Sequence, residues 1–165
     1  MAEYKSSVVK PEDFEQFWRE TLEETERVSL NPRIVLDPMR SNDDIEVFEA
    51  RYDSYQNLEI AGWYARPRNY TKLLPGLLFV PGYVSEPKLP TDLAREGYAV
   101  FSAAPRNKLR SNMVFNPGYP GLLTHNIESR ATYGYRGFYM DAVRAFDFLY
   151  QMPEVDEHRL GGLGG

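Results

Sequence analysis

The run Arg159-Leu160-Gly161-Gly162-Leu163-Gly164-Gly165 holds the clearest chemical signal in this sequence. A short apolar stretch passing into paired glycines reads as a strand that opens into a tight turn toward a helix. In proteins whose strands alternate with helices, such turns present a nucleophile or cradle a phosphate. No residue follows Gly165, so the central residue of that turn is expected to be missing from this sequence. A dinucleotide loop needs more than glycines: a following helix, a second strand and an acidic ribose ligand, none of which can be matched here. The other reactive residue types have plainer readings. Ser102, Ser111 and Ser129 lack the glycine context of a nucleophile turn and read as ordinary polar side chains. His125 and His158, the only histidines, stand far apart without metal-ligand spacing, so each reads as a solvent-facing or loop-satisfying group. Asp141 and Arg144, three apart on a helix, read as a structural ion pair or a helix-to-loop tie, and Glu154, Asp156 and Glu157 as a solvated acidic turn. Tyr119, Tyr133, Tyr135 and Tyr139 could line a pocket for an acyl group or a sugar, or simply pack a loop. Without cysteine there is no disulfide, thiolate nucleophile or cysteine metal site, and no metal is expected.

The elements that must position these residues follow from hydrophobic periodicity. Over residues 11–28, Phe14, Phe17, Trp18, Leu22 and Val28 recur mainly at three- and four-residue steps, which predicts a helix laid on a core, with Pro11 in its first turn. After a proline-marked loop, residues 45–54 and 58–66 are rich in β-branched and aromatic side chains and are split by Tyr55-Gln56-Asn57, the pattern of an antiparallel hairpin. Leu77-Leu78-Phe79-Val80, closed by Pro81-Gly82, predicts a central strand buried on both faces of a parallel sheet. A short helix over residues 90–96 ends at Gly97, and residues 98–103 form the next buried strand. Residues 105–133 show no sustained periodicity; their apolar and aromatic content predicts an ordered functional loop. A helix from about Tyr135 turns Phe138, Val143 (or Ala142), Phe146 and Leu149 toward the sheet, and a last strand begins near Arg159. The order of elements is that of an α/β sheet interrupted at its end.

Composition excludes several classes of function. The 165 residues, 42% hydrophobic and 14% aromatic, suffice for one sizeable core, so 1–165 is a single domain, with a helical segment over 1–30 and the sheet and its helices over 40–165. Nineteen basic against 24 acidic side chains give a net charge of −5, which repels a polyanion and argues against a nucleic-acid partner. No apolar run approaches membrane-spanning length and the start lacks a signal core, so a soluble, cytoplasmic protein is expected.

Several segments together carry a family resemblance. They are Phe14-Glu15-Gln16-Phe17-Trp18-Arg19-Glu20-Thr21-Leu22, Leu58-Glu59-Ile60-Ala61-Gly62-Trp63-Tyr64, Gly82-Tyr83, Tyr119-Pro120-Gly121, Tyr133-Gly134-Tyr135-Arg136, Asp141-Ala142-Val143-Arg144-Ala145 and Pro153-Glu154-Val155-Asp156. In this order, over nearly the whole chain, the sequence resembles the acetyl xylan esterase/cephalosporin-C deacetylase family of α/β-hydrolases. The resemblance implies the N-terminal part of an α/β-hydrolase sheet, an antiparallel hairpin followed by parallel strands with flanking helices. It also implies a Gly-x-Ser-Gln-Gly elbow in which Gly164 is the first glycine, Gly165 is x and the nucleophile serine comes next. By the same resemblance the backbone N–H of Tyr83 is an oxyanion-hole donor, the substrate is a small acetylated ester or carbohydrate, and no cofactor is needed. The family's aspartate and histidine fall beyond this sequence, so the chain alone is expected to be inactive. Two departures stand out: the family's Arg-Gly-Gln is Arg106-Asn107-Lys108 here, and Gly162 replaces a branched apolar residue. Of the three, only Arg106 is expected to keep a structural role, pairing with a carboxylate. The tyrosines bracketing the long loop, Tyr119, Tyr133 and Tyr135, are substrate-loop candidates, and residues 105–133 are expected over the sheet end that carries Tyr83. The strand at 159–163 is interior in the complete hydrolase; with its outer side open, self-association or homo-oligomerisation through that edge is expected. The alternative from another class is a non-catalytic α/β module, or a fragment acting by association with another chain.

Overall fold

In the computed structural model, which describes residues 7–119 and 121–164, the elements run α1 (Phe14–Glu26), β1 (Arg33–Leu36), β2 (Ile45–Ser54), β3 (Leu58–Pro67), β4 (Leu74–Val80), α2 (Thr91–Arg95), β5 (Ala99–Ala104), α3 (Gly134–Tyr150) and β6 (Val155–Gly164). The six strands form one mixed sheet in the order β1-β2-β3-β5-β4-β6. The hairpin forms where predicted: β2 and β3 pair antiparallel from Ile45 opposite Pro67 to Ser54 opposite Leu58, joined by a single 3-10 turn over Tyr55–Asn57. Gln56 and Asn57 take positive φ of 63° and 56°, which closes so short a loop with the twist the strands need. β5 pairs antiparallel with β3 and parallel with β4, and β4 pairs parallel with β6. β1 has no counterpart in the sequence reading. Its four residues are all exposed, so no burial alternation marks it; backbone pairing with β2 and an Arg33–Asp53 bridge of 2.8 Å hold it in place.

The principal core lies on one face of the sheet, where Phe48, Ala50, Tyr52, Ile60, Tyr64, Leu74, Leu78, Ala99 and Phe101 meet Ala145, Phe148, Leu149 and Met152 of α3 and its C-terminal turn. The rings of Phe101 and Phe148 sit 4.4 Å apart at its centre. Tyr52 and Tyr64 are fully buried, and their hydroxyls donate to the Asp141 carbonyl at 2.6 Å and to Glu154 Oε1 at 2.8 Å. Burial, reinforced by these acidic neighbours, raises both phenols above the ordinary tyrosine range. The opposite face is covered by α2 only over Ile45, Val47, Trp63 and Ala65, through Ala94.

This arrangement corrects four expectations. β4 is buried on one face only, at Leu74, Gly76 and Leu78, because α2 is too short to cover Leu77 and Phe79 behind it. In α3 the sheet-facing side chains are Phe138, Asp141, Ala145, Phe148 and Leu149, whereas Val143 and Phe146 are exposed; the helix is rolled so that Asp141 reaches a buried cation. α1 starts at Phe14 after a turn in which the Pro11 carbonyl accepts from the Phe14 N–H. It packs through Thr21 and Thr25, with Phe14 and Leu22 outward, because it lies beside α3 and the hairpin turn: Arg136 donates to Thr21 Oγ1 at 3.0 Å and Trp18 meets Tyr139 edge-on at 5.8 Å. The last strand begins at Val155, four residues before Arg159.

Candidate active site

Parallel strands put their C-terminal ends, and the loops leaving them, at one edge of the sheet. Val80 ends β4 and pairs with Gly164 of β6, so the predicted elbow glycine lies beside the strand that leads into Gly82 and Tyr83. Gly165 lies outside the described residues. Gly82 through Ser85 form a turn in which the Ser85 N–H donates to the Gly82 carbonyl at 3.2 Å. The Tyr83 side chain is 43% exposed, its ring stacked 6.4 Å from that of Tyr135, and Tyr135 is stacked 5.7 Å from Tyr133. The Tyr133 hydroxyl donates to the Leu123 carbonyl at 2.9 Å. Burial, helped by the neighbouring tyrosines, raises the Tyr135 phenol above its usual range. Tyr83, Tyr133 and Tyr135 thus come together. Tyr119 does not join them; it is fully exposed, and Pro120 beside it lies outside the described residues. The segment after β5 reaches the Tyr83 end of the sheet, as its apolar content suggested: Leu109 N–H donates to Glu86 at 2.8 Å, and a β-carbon on Gly121 would touch the Tyr83 hydroxyl.

Two buried cations, two positions apart, follow β5. Arg106 is 2% exposed and forms a bidentate bridge to Asp141, from Nε to Oδ2 at 2.8 Å and from Nη2 to Oδ1 at 3.0 Å. Its other donors reach the Tyr55 carbonyl and Gln56 Oε1, both at 3.0 Å, while Ser54 Oγ donates to Asp141 at 2.6 Å. Gly137 in α3 is required here, because a β-carbon there would collide with the guanidinium. Asp141 therefore pairs with Arg106; Arg144 instead bridges Asp147 at 3.0 Å and donates to the Val28 carbonyl at 2.8 Å. Asn107 has φ of 69°, a left-handed conformation that glycine and asparagine adopt most readily, which accounts for asparagine at a position that resembles the family's glycine.

Lys108 is 3% exposed, and its Nζ donates to the carbonyls of Gly82 at 2.8 Å, Tyr83 at 2.6 Å and Ser85 at 2.7 Å. Burial lowers its pKa below the ordinary lysine value, with Glu86 pulling the other way. Sequence reasoning set this residue aside as a departure. Nothing local marks a loop lysine as buried, and only its two-residue distance from a buried arginine hinted at a role.

The remaining candidates take no part in this cluster. Ser102 Oγ is buried without a partner and borders a shallow apolar hollow of about 180 Å³ beside Phe79, Leu89, Leu93 and Val100, on the thinly covered face. Ser111 is buried, accepting from the Ala61 N–H at 3.0 Å and donating to the Ala104 carbonyl. His125 meets Phe115 edge-on at 5.4 Å, and the His158 side chain is 86% exposed. The acidic turn divides: Glu157 is exposed, whereas Glu154 is buried and bridged to Arg66 at 2.9 Å, because the Tyr64 hydroxyl and Arg66 must be satisfied beneath it. Among the described residues no group of three or more acidic or histidine side chains could hold a metal, and no helix is long and apolar enough to cross a membrane.

Known proteins share this framework. An acetyl xylan esterase from Paenibacillus sp. R4 is 27% identical and superposes with a TM-score of 0.88, covering 99% of this chain and 54% of its own. Acetyl xylan esterase 1 from Thermoanaerobacterium sp. JW/SL YS485 shares the fold at 22% identity and a TM-score of 0.84, covering 98% of this chain and 53% of its own. The acetyl esterase Axe7A of Xylanibacter ruminicola is 22% identical over 94% of this chain and 38% of its own length. The chain therefore spans about half of the two solved relatives and less of the curated one. The family model for acetyl xylan esterase matches residues 1–165 throughout, and the chain belongs to that family, on the α/β-hydrolase fold.

Proposed function

We propose that residues 1–165 form the oxyanion-hole side of a serine carboxylic-ester hydrolase that removes acetyl groups from acetylated carbohydrates or similar small esters. The nucleophile is the serine expected directly after Gly165. In that reaction the serine oxygen attacks the acetyl carbonyl as the catalytic base takes its proton, the carbonyl oxygen gains negative charge, and collapse breaks the ester bond as the base passes that proton to the departing sugar oxygen. Water, losing a proton to the same base, then releases acetate and the serine takes the proton back. This chain's part is electrostatic: the Tyr83 N–H donates to the developing oxyanion, together with the N–H of the residue after the serine. The Tyr83, Tyr135 and Tyr133 rings form an apolar wall suited to a sugar face or an acetyl methyl group. The observation that supports the reading is the pairing with Gly164 of Val80, which lies two residues before Gly82 along the chain.

The test separates chain from enzyme. Alone, the 165-residue chain is expected to hydrolyse a chromogenic acetate no faster than its Ser102→Ala variant, since Ser102 is buried on the wrong face. Joined to a downstream half that opens with the serine, it is expected to form an acetyl-serine visible by mass spectrometry. In that enzyme Tyr83→Pro, which removes the N–H, lowers kcat by about 10²-fold or more at little cost in KM. An acyl adduct on Ser102, or full kcat in Tyr83→Pro, refutes the assignment.

A further inference from the structure

Among the described residues Lys108 is the only buried lysine, and its ammonium bridges no carboxylate; all three of its N–H bonds go to neutral backbone carbonyls of one turn. A cation removed from water without a direct ion pair, with only the field of Glu86 to offset burial, is costly, and an apolar side chain of the same length would fill the space more cheaply. What the ammonium does there follows from peptide geometry. In a trans peptide the C=O and N–H point in opposite directions. The Gly82 carbonyl lies in the same peptide plane as the Tyr83 N–H, so a Gly82 oxygen held at 2.8 Å from Lys108 turns the Tyr83 N–H away from the lysine. The bond to the Tyr83 carbonyl at 2.6 Å fixes the next plane in the same sense, and the bond to Ser85 closes the turn. Flipping the 82–83 peptide would break the shortest route by which Gly82 satisfies both Lys108 and the Ser85 N–H.

We infer that Lys108 is the positioning residue of the oxyanion loop, holding the Gly82–Tyr83 peptide with its N–H directed outward and adding a fixed positive charge behind that donor. This rests on the reading of Tyr83 as the oxyanion donor. The charge acts in two ways. It polarises the peptide so that its N–H is a stronger donor, and its field favours the negative oxygen in the transition state over the neutral ester in the ground state. Where the sequence pattern resembles Arg-Gly-Gln, a glutamine amide offers two N–H donors and no charge; lysine here supplies a third bond and the charge.

The experiment uses the whole enzyme carrying these residues, with Lys108→Met and Lys108→Gln. Two readouts are taken together: kcat and KM on an acetate ester, and the nuclear resonance signals of the Gly82–Tyr83 peptide after labelling glycine carbonyl carbons and tyrosine amide nitrogens. The expected result for Lys108→Met is a fall in kcat of about 10²-fold, little change in KM, and displaced, broadened signals for that peptide. Lys108→Gln, which keeps two donors and preserves the turn if Met does not, is expected to recover part of both. Unchanged peptide signals in both variants overturn the positioning role, whatever happens to kcat. Displaced signals with full kcat overturn the inference from the other side, because they mean that the loop is held by Lys108 but Tyr83 is not the oxyanion donor. Equal losses in KM and kcat/KM with kcat preserved would make Lys108 a substrate-binding support and likewise overturn it.

Discussion

Arg106 and Lys108 divide the molecule into two regions built on different electrostatics. The Arg106 region joins β2, the hairpin turn and α3 through a charge paired with a charge: Asp141 is fully buried and every partner of the guanidinium is fixed by an element. The Lys108 region joins the loops after β4 and β5 through a charge held only by carbonyls, at residues that are themselves half-buried or exposed. The difference teaches where this fold keeps stability and where it keeps geometry. Removing one partner of a dry ion pair strands the other; removing an ammonium from a half-wet turn lets water take over its carbonyls.

The largest expected effect tests that contrast directly. Arg106→Met leaves Asp141 uncompensated and is expected to lower unfolding free energy by roughly 3–5 kcal/mol, measured in denaturant. Lys108→Met is expected to change it by less than about 1 kcal/mol, since an apolar side chain replaces a buried cation of similar length. Comparable losses from both would abolish the distinction.

The same two residues show how far the sequence could be read. The hairpin, the strands at β4 and β5, the helix stop at Gly97 and the helix after the long loop were legible, because each is written locally in periodicity or a turn residue. β1 was not, since four exposed residues paired only through their backbone leave no pattern. The roll of α3 was misjudged for a physical reason: periodicity assigns Val143 and Phe146 to the core, but the need to bury Asp141 against Arg106 turns them outward. The arginine's role was visible as a carboxylate partner awaited, though not which one. The proposed site rests on the family resemblance, at Tyr83 and Gly164, whereas Lys108 makes its contacts 23 to 26 residues away in sequence, which no local pattern records.

A smaller effect is expected at the opposite margin of the sheet. Among the described residues β6 has a strand neighbour on one side only, and Leu163 is 46% exposed. Open backbone donors and acceptors next to the apolar, thinly covered Leu77 and Phe79 favour pairing with another copy. The 165-residue chain is expected to self-associate in sedimentation, and a lysine at Leu163, L163K, to weaken that association without lowering the melting temperature. A monomer at tens of micromolar, on the order of ordinary aggregation conditions, with a sharp melt would show that the parallel margin needs no partner and is as self-sufficient as the Arg106 region.

The smallest expected effect is an acid limb, to which the antiparallel half contributes two carboxylates and the start of β6 one, Asp156, held low by Arg159 and the His158 amide. Asp37 and Asp53 are pushed up by burial, but Arg40 and the Met39 and Arg40 amides at Asp37, and Arg33 and Asn31 at Asp53, outweigh it and hold both below their ordinary value of 3.8. A carboxylate whose folded pKa is depressed contributes stability that is fully present above its unfolded pKa and is lost as pH falls through the folded one. Protection from hydrogen exchange, taken relative to the intrinsic rate at each pH, is therefore expected to fall in β1 and the loop after it as the solution is taken from neutral to about pH 3. The turn of Gly82 to Ser85 carries no carboxylate in its three bonds to Lys108, and a lysine stays charged in acid. Its protection is expected to persist until the whole sheet opens. Simultaneous loss at both places would mean that the two regions unfold as one unit and that the carboxylates of the antiparallel half also set the stability of the Gly82 to Ser85 turn.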